Sequence, residues 1–497
     1  MTEDRKLGRG TAWIAVASAL SGVLDVITTV TCLWLWLSPD DLGLATLAGA
    51  LLPVIERLAG VGMPAAMVRE GGDDPRALAT LWWVMLAASI AVLAAAVALA
   101  GPIGGALGAP VIGSLVCGYA VRQLLSTAHA VPEAVLRRNL AFDALTRVRI
   151  AAAFTDAAGK LITAYLGAHL WPALRAWPFV IGPLVGGIAT SIGLQLAWPW
   201  RPRLAFDAAV ARRGLAYGVP LSAGELLYFV YSNADYLVIG RAWGAAAVGA
   251  YRLAYELVLD VVRLISLVTA EVAFPAFARL RDPEAAGPRG AAARAGELLL
   301  RFTRQNLLAV APVVVVLAVC ADDLLALLYP PLPAAAVRAA QILCVVGALR
   351  MMSFVLPAVL AGLGHAGDAL AYHAVAAALL PAAFAAAAGL WPAAGFVAVA
   401  WAWAAGYPAV FAVVLWRALV RCQVGLGSYL RRTLGVIAAG GVAAVGAGAV
   451  HAALPPPHLV RLVAVAAATV AGYALALTWI EGLTPRRLWR MVRGHDA

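Results

Sequence analysis

Apolar stretches of about 20 residues or more recur along almost the whole chain, from residue 11 to residue 481. A helix of about 20 residues crosses a bilayer core of about 30 Å, so each stretch is long enough to span a membrane. Of the 497 residues, 63% are hydrophobic and only 13% are charged, which is far from the composition of a soluble globular protein. The sequence therefore predicts an all-α polytopic membrane protein with no room for a separate catalytic domain.

Proline, glycine and charged residues divide the apolar stretches into about 14 transmembrane helices. The predicted spans are residues 11–37, 42–68, 77–100, 103–131, 143–167, 177–198, 212–239, 244–272, 298–320, 335–364, 367–390, 393–418, 429–453 and 459–481. Loops on the cytoplasmic side of a membrane carry the excess of lysine and arginine. Both termini and the loops on their side of the bundle contain 27 basic residues, whereas the opposite loops contain four. This asymmetry predicts that both termini are cytoplasmic.

The formal net charge of +11 does not indicate nucleic-acid binding, because the basic residues lie in short runs between apolar stretches. The five cysteines are scattered, four of them within apolar stretches, and they predict neither a disulfide framework nor a metal cluster. The sequence has no Walker motif, zinc-ligand spacing or nucleophile elbow. We therefore expect no enzymatic activity, no catalytic residue, no metal site and no cofactor.

A weak internal repeat relates two parts of the chain. At an offset of 206 residues, Leu42–Gly43 aligns with Val248–Gly249, and Arg57 aligns with Arg263. Many transporters are built from such repeats and bind substrate at the repeat interface. The repeat and the helix count predict two six-helix lobes around a central cavity, followed by two extra helices. The predicted domains are an N-terminal lobe at 1–198, a cytoplasmic linker at 199–211, a C-terminal lobe at 212–418, two additional helices within 429–481 and a basic cytoplasmic tail at 482–497.

Four predicted helices, the first, second, seventh and eighth, carry most of the charge at membrane depth. An ionisable side chain at the centre of a membrane helix costs roughly 2.5–3.5 kcal/mol on insertion scales, so it usually faces protein or a water-filled cavity. At about 100° per residue, the charged residues of the eighth helix share one arc. These polar faces predict a cavity between the lobes. The candidate cavity residues are Asp25, Glu56, Arg57, Glu225, Asp235, Arg252, Glu256, Asp260 and Arg263.

Structural ion pairing is the alternative interpretation of several of these charges. Arg252 and Glu256 are four residues apart, as are Asp156 and Lys160 on the fifth helix, and this spacing places opposite charges side by side on a helix. Asp235 lies near the outer end of its predicted helix, where a capping role fits equally well. The sequence alone leaves both interpretations open.

Several segments of the chain resemble a known family of membrane proteins. They are, in order, LWLSPDDLGLATLA at 35–48, GVGMPAAMVRE at 60–70, VPEAVLRRNLAF at 131–142 and a long segment at 200–283 that contains NADYLVIGRAWGAAAVGAYRLAYEL. Together they resemble the Wzx-like flippases of polysaccharides and lipid-linked oligosaccharides, within the multidrug/oligosaccharidyl-lipid/polysaccharide exporter superfamily. The resemblance extends over residues 11–430 of this sequence.

The resemblance implies a cavity that opens alternately to either side of the bacterial cytoplasmic membrane. It implies translocation of undecaprenyl-pyrophosphate-linked oligosaccharide units for surface polysaccharides such as exopolysaccharide or O-antigen. The implied partners are the lipid-linked glycan, membrane lipids, a polysaccharide polymerase and glycosyltransferases, with no nucleic acid. Arginine is a well-matched bidentate donor to phosphate, so the predicted headgroup ligands are Arg57, Arg252 and Arg263. The candidate ion-coupling or cavity residues are Asp25, Glu56, Glu225, Asp235, Glu256 and Asp260.

Two other functional classes compete with a flippase. A drug or cation antiporter of the same superfamily would have the same architecture and would differ in its substrate. A membrane glycan polymerase or glycosyltransferase would need an exposed catalytic loop, but the predicted outer loops are short. The one acidic pair in a longer loop, Asp322 and Asp323, has no obvious partner constellation in the sequence. We therefore expect a transporter and not an enzyme.

Overall fold

The chain folds as a helical membrane protein. The computed structural model describes residues 3–70, 74–139, 141–280, 291–329, 331–455 and 457–482. Within these residues the chain forms helices and no strand, and ten helical stretches are long and apolar enough to cross a membrane, two of which, Pro39–Gly60 and Ala334–Gly362, each consist of two shorter helices. A shorter apolar helical segment covers Leu20–Leu35. The predicted all-α polytopic class is confirmed, and the predicted number of 14 spans is approximate. Residues 483–497, which make up nearly all of the predicted basic tail, lie outside the described residues.

The chain divides into two compact units, Met1–Gly249 and Ala250–Ala497. The predicted lobes, with boundaries at 198 and 212, are defined by the internal repeat, whereas these units are defined by compactness. The division into lobes therefore stays a prediction. The first unit contains the following helices. They are α1 (Glu3–Leu35), α2 (Pro39–Gly49), α3 (Leu52–Gly60), α4 (Met63–Glu70), α5 (Pro75–Ala106), α6 (Pro110–Arg138), α7 (Phe142–His169), α8 (Pro178–Ala197) and most of α9 (Ala208–Tyr255), with a 3-10 turn at Pro172–Leu174.

The second predicted span is broken into the three short helices α2, α3 and α4. Ser38 caps the start of α2, because its hydroxyl oxygen accepts from the backbone N–H of Asp41 and the Asp41 carboxylate accepts from the backbone N–H of Ser38. Val61 and Gly62 have φ values of 47° and 68°, in the left-handed region that ends a helix. The backbone turn at these two residues therefore separates α3 from α4.

The predicted boundary between the seventh and eighth spans corresponds to a sharp bend inside α9. Gly244 has a φ of 82° and a ψ of 178°, a conformation that glycine adopts readily because it has no Cβ. The helix continues on either side of this residue. The position agrees with the predicted start of the eighth span at residue 244.

Two glycines that the internal repeat aligns, Gly43 and Gly249, lie against each other inside the first unit. A Cβ atom at residue 43 would lie 3.0 Å from the backbone nitrogen of Gly249 and closer still to the backbone of Ala245. A Cβ atom at residue 249 would lie 3.2 Å from the backbone nitrogen of Gly43 and closer to the backbone of Pro39. Small residues allow this approach of two membrane helices. The repeat alignment thus identified a point of close backbone packing.

Substituting Gly43→Val is expected to destabilise the first unit, because the neighbouring atoms are backbone atoms that cannot rotate away. Overpacking of this kind costs about 1–3 kcal/mol. The thermal unfolding of the purified protein would measure the loss. Gly101→Ala on α5 is the control, since a Cβ there meets nothing within 4 Å. Equal unfolding temperatures for Gly43→Val and the parent protein would contradict the packing argument.

The second unit contains the remaining helices. After a π-helical segment at Glu256–Asp260 they are α10 (Val261–Arg279), α11 (Ala291–Val319), α12 (Ala321–Leu328), α13 (Ala334–Ser353), α14 (Leu356–Gly362), α15 (Ala366–Leu390), α16 (Val397–Arg421), α17 (Leu426–Ala453) and α18 (His458–Glu481), with a 3-10 turn at Pro392–Ala394. Asn306 on α11 is fully buried, and its amide donates to the Ser266 hydroxyl at 3.1 Å and to the Met351 carbonyl at 2.5 Å. This amide joins three helices of the unit.

A buried carboxylate holds the last two helices, α17 and α18, to α12. The Asp323 side chain is fully buried, and its Oδ2 atom lies 2.7 Å from Nε of Arg461 and 3.1 Å from Nε2 of His451. Its Oδ1 atom lies 2.5 Å from Nδ1 of His458. The expectation that Asp322 and Asp323 have no partner constellation is therefore wrong. The partners are about 130 residues away in the sequence, where no local pattern reveals them.

The environment of Asp323 stabilises its charged form. Burial alone would raise the pKa of this carboxyl, but hydrogen bonds from Arg461 and His458 outweigh burial and lower the pKa below its ordinary value. Asp323 is thus ionised, and its charge is stabilised by Arg461, His458 and His451. The cluster is a fixed attachment point for the C-terminal helix pair.

Candidate functional site

Four helices of the first unit surround a polar cavity of about 290 Å³, which we call the first cavity. Its polar and charged lining residues are Ser21, Asp25 and Thr28 from α1, Arg122, Ser126 and His129 from α6, Arg149, Asp156 and Lys160 from α7, and Thr190 from α8. On each of α1, α6 and α7 these residues are spaced three, four or seven apart, which places them on one face of the helix. The first predicted helix, one of the four that carry charge at membrane depth, therefore lines a cavity within the first unit with one polar face.

A second cavity of about 420 Å³ lies beside α3, α6 and α9, and we call it the second cavity. Its charged lining residues are Glu56, Arg57, Glu133, Arg137 and Glu225. Ser126 and His129 of α6 line both cavities. The two cavities therefore meet along one face of α6.

Three ion pairs between helices involve the charged residues that line these cavities. The Lys160 ammonium on α7 contacts the Asp25 carboxylate on α1. Arg57 Nη1 lies 2.6 Å from Glu225 Oε2, and a further pair joins Arg122 Nη1 to Glu56 Oε1 at 2.9 Å. The sequence suggested Asp156, one turn earlier on α7, as the partner of Lys160. The structure instead gives Lys160 a partner on another helix.

Two polar atoms at the cavities have no hydrogen-bond partner among the described residues. They are the buried Nε of Arg57 and the buried Oδ1 of Asp156. A buried polar atom without a hydrogen-bond partner costs free energy. A ligand or ion that bonds to such an atom would therefore gain binding energy there. The Arg57 guanidinium also lies 5.5 Å from the ring centre of Phe229, a cation–π contact. Arg57 thus combines one carboxylate partner with one unused donor.

The four candidate residues at 252–263 lie in the second unit. Arg252 Nε is 2.5 Å from Glu256 Oε1, and Arg263 Nε is 3.1 Å from Asp260 Oδ1. The prediction of one charged arc assumed a regular α-helix, but Glu256–Asp260 is π-helical, so a rotation of 100° per residue does not apply there. The side chains of the first pair are 22% and 27% exposed, and those of the second pair are 51% and 44% exposed. The two pairs therefore have different surroundings.

Asp235 lies fully buried inside α9, which continues beyond it to Tyr255. Its Oδ1 atom accepts a hydrogen bond from the backbone N–H of Tyr236 at 2.9 Å. The capping interpretation is therefore wrong, because the residue is not at a helix end. Asp235 does not line either cavity among the residues that the structure describes.

Three cavity-lining residues and one buried arginine elsewhere were not predicted as site residues. Arg122 and His129 share a face of α6, and this spacing is a usable signal. Arg149 is two turns inside α7, close enough to the helix start to be counted with the loop charges. Arg350 on α13 is buried, donates to the Tyr255 hydroxyl at 3.0 Å and lies 5.2 Å from the Trp403 ring centre. The aromatic partners of Arg350 come from other helices, so no pattern in the local sequence identifies this residue.

The described residues contain one group with metal-ligand geometry. Asp322, Asp323 and His451 place three potential ligand atoms within 4.8 Å of one another. Arg461 contacts both oxygens of Asp323, so a cation would have to compete with a guanidinium that already neutralises this carboxylate. We therefore interpret this cluster as an ion-pair network.

The chain is similar to bacterial proteins of surface-polysaccharide synthesis. A sequence profile of the family described as "Polysaccharide biosynthesis protein" matches residues 36–331, more than half of the chain. Lipopolysaccharide biosynthesis protein WzxC of Escherichia coli (strain K12) is 24% identical over 357 residues, which are 70% of this chain and 68% of that protein. Teichuronic acid biosynthesis protein TuaB of Bacillus subtilis (strain 168) is 24% identical over 59% of this chain and 58% of its own length.

Two solved structures share the fold. The lipid II flippase MurJ in an inward closed conformation superposes with a TM-score of 0.72 and 11% identity, over 96% of this chain and 99% of that chain. An inward-facing multidrug resistance MATE family transporter superposes with a TM-score of 0.55 and 14% identity, over 81% and 96%. At these identities the likeness concerns the fold alone.

Proposed function

Because this chain belongs to the polysaccharide biosynthesis protein family, we propose that it translocates undecaprenyl-pyrophosphate-linked oligosaccharide units across the bacterial cytoplasmic membrane by alternating access. The observation that carries the proposal is the pair of charged cavities inside a chain whose helices are otherwise apolar. A charged headgroup cannot cross hydrocarbon bare, because desolvating an ion costs several kcal/mol. Polar cavities at the membrane-spanning helices replace the hydration that the headgroup loses.

The names of similar proteins support this choice of substrate class. WzxC is described as a lipopolysaccharide biosynthesis protein, and TuaB as a teichuronic acid biosynthesis protein. MurJ, which shares the fold, is described as a lipid II flippase. We further propose that both termini are cytoplasmic, and that the predicted lobes enclose the transport pathway. A polysaccharide polymerase and glycosyltransferases are the partners we propose on the two sides of the membrane.

We propose that Arg57, Arg252 and Arg263 bind the pyrophosphate. Each guanidinium contacts a carboxylate, namely Glu225, Glu256 and Asp260 respectively. Binding of the headgroup would therefore be an exchange of anionic partners, in which the arginine stays paired throughout. The unused Nε donor of Arg57 could complete a bidentate contact, which arginine forms with phosphate.

This exchange suggests how transport becomes coupled to an ion. When the headgroup takes an arginine, the released carboxylate becomes a site for a proton or a sodium ion. Headgroup binding and cation binding then favour each other by equal factors, since linkage is reciprocal. Glu225 and Glu256 would be released in this way. We propose them as ion-linked carboxylates together with Asp25 and Glu56, which pair with the cavity cations Lys160 and Arg122.

Reconstitution into proteoliposomes tests the proposed function. Undecaprenyl-pyrophosphate-linked oligosaccharide placed in both leaflets is expected to become fully accessible to an external, membrane-impermeant glycosidase when the protein is present. Empty vesicles should protect the inner-leaflet fraction. Imposed proton or sodium gradients should change the rate if a carboxylate is ion-linked. Protection equal to that of empty vesicles, together with export of a cationic drug, would support the antiporter alternative instead.

A further inference from the structure

An irregular segment, residues 198–207, joins α8 to α9 and overlaps the predicted cytoplasmic linker. We call it the α8–α9 linker. The backbone N–H of Trp200 donates to the side-chain oxygen of Gln195 at 3.0 Å. The Trp200 ring packs edge-on against Trp82, with 5.6 Å between the ring centres. The linker is therefore a fixed part of the first unit, although it contains no helix.

The linker folds back along α5. Its Arg203 carbonyl accepts a hydrogen bond from the Trp83 indole N–H at 2.9 Å, and the backbone N–H of Asp207 donates to the Thr80 hydroxyl at 3.0 Å. The helix α5 starts at Pro75 and is long and apolar enough to span a membrane. At 1.5 Å per residue, Thr80 and Trp83 lie about 8 and about 12 Å along it. The linker therefore lies beside the first turns of a membrane span, at the depth of the bilayer surface.

Two large apolar side chains of the linker face outward. Leu204 is 95% exposed and Phe206 is 64% exposed. In a segment that is fixed in place, such exposure leaves apolar surface in contact with whatever surrounds the protein. At the bilayer surface the surroundings are the boundary between lipid headgroups and acyl chains, where interfacial segments insert their apolar side chains. Leu204 and Phe206 are therefore placed to enter the lipid.

Three exposed arginines lie in the linker or just after it. They are Arg201, Arg203 and Arg212, and none of them has an ion pair among the residues that the structure describes. The carboxylate of the linker, Asp207, has another role. Its Oδ1 atom accepts hydrogen bonds from two backbone N–H groups in the first turn of α9, at 2.7 and 3.2 Å. The linker thus presents cations that no neighbouring carboxylate neutralises, and such a surface attracts anions.

We propose that the α8–α9 linker docks on the cytoplasmic surface of the bilayer and binds an anionic phospholipid. Leu204 and Phe206 insert between the headgroups. The guanidinium groups of Arg201, Arg203 and Arg212 contact the lipid phosphate, an oxyanion that arginine binds well. The cytoplasmic leaflet carries a negative surface potential that attracts basic segments close to the membrane.

A lipid fits this surface better than a soluble acidic partner does. A soluble partner would use the cations, but it would not explain why the apolar side chains lie beside the first turns of a membrane span. Among the residues that the structure describes, none of the linker lines either cavity. The choice of membrane side rests on the proposed topology, whereas the binding of lipid is independent of the transported substrate.

A fluorophore on the linker tests this proposal in the full-length protein. Leu204→Cys, labelled with a nitrobenzoxadiazole maleimide, is reconstituted into vesicles of phosphatidylcholine with or without phosphatidylglycerol. We expect brominated acyl chains to quench the label in vesicles that contain phosphatidylglycerol, and much less in pure phosphatidylcholine. Added salt should reduce the quenching, because it screens exposed charges. The parent protein, treated with the same reagent, measures labelling of the native cysteines, four of which are buried.

Removing charge from the labelled protein measures the headgroup contact. Arg201→Gln and Arg203→Gln together should shift the equilibrium between docked and undocked linker about 30-fold toward the undocked form, since each basic residue near an anionic surface contributes about fivefold. Arg147→Gln is the matched control, because Arg147 is 77% exposed but pairs with Asp143, and its quenching should stay parental. Phe206→Ser should reduce the quenching by removing an apolar anchor. Because these side chains are exposed, every variant should unfold in detergent at the parental temperature.

The proposal is overturned if the label at residue 204 stays exposed to water in vesicles that contain phosphatidylglycerol. Equal quenching with and without phosphatidylglycerol, or quenching unchanged by the two glutamine substitutions, would also overturn it, since the arginines would then bind no headgroup. A label that is shielded only after a soluble cytoplasmic protein is added would assign the linker to a protein partner and would contradict docking on lipid. None of these results bears on translocation, which the glycosidase assay in proteoliposomes measures separately.

Discussion

Replacing Arg57 by glutamine is expected to weaken binding of the lipid-linked substrate about 10- to 150-fold, the range for losing one charge-assisted contact. The guanidinium lines the second cavity, pairs with Glu225 at 2.6 Å and has a buried Nε atom with no partner among the described residues. Glutamine retains a hydrogen-bond donor but loses the charge. The glycan translocation rate at low substrate concentration, measured in proteoliposomes, should fall accordingly. Arg57→Lys should restore only part of the rate, because a lysine lacks the bidentate fork.

Glu225→Gln is the informative companion to this variant. If Glu225 competes with the headgroup for Arg57, removing its charge should strengthen substrate binding while Arg57→Gln weakens it. If the ion pair is purely structural, both variants should lose stability. Glu225→Gln should then not strengthen substrate binding. Parental translocation by both Arg57→Gln and Arg263→Gln would mean that these arginines do not bind the headgroup.

Replacing Asp323 by asparagine is expected to destabilise the second unit by about 3–5 kcal/mol, the cost of removing one partner from a buried ion pair. The Asp323 side chain is fully buried and that of Arg461 is 13% exposed, so the guanidinium would keep its charge without its main partner. Thermal unfolding of the purified protein measures this loss. Asp322→Asn is the control: its side chain is 41% exposed and its contact with Arg461 is longer, at 3.2 Å, so about 1 kcal/mol or less should be lost.

The same carboxylate gives the stability a defined dependence on pH. The pKa of Asp323 is lowered by folding from an ordinary value of 3.8. Its stabilising contribution is therefore fully present above the unfolded pKa and is lost as the pH falls through the lower folded pKa. The parent should lose stability in acid, and Asp323→Asn should lose less over that range. Equal unfolding temperatures for the Asp323→Asn and Asp322→Asn variants at neutral pH would contradict the assignment.

The all-α polytopic fold class could be predicted from the sequence, because the length of an apolar segment can be read from that segment alone. The same is true of the bend at Gly244, which fell at the predicted start of a span. Pairing between helices is a different kind of information. Lys160 and Asp25 are 135 residues apart, and Arg461 and Asp323 are 138 residues apart. Helical periodicity identifies the face on which a charge lies, but it does not identify the helix that this face will meet.

The internal repeat predicted one contact between distant parts of the sequence. It aligned Gly43 with Gly249 without any information on their distance, and the structure brings the two backbones together. This contact therefore had a basis in a local sequence pattern. The polar lining of the first cavity had no such basis. It depends on residues from α1, α6, α7 and α8, and neither the spacing nor the composition of any one helix reveals that combination.

The π-helical segment at Glu256–Asp260 shifts the register of its helix by one residue. A π-turn contains one residue more than the α-turn it replaces. Converting it to a regular α-turn would move the following helix by one residue, a screw displacement of about 100° and 1.5 Å. The π-turn therefore places Arg263, on the helix that follows it, about 100° around the helix axis from the position that an uninterrupted α-helix would give it relative to Arg252.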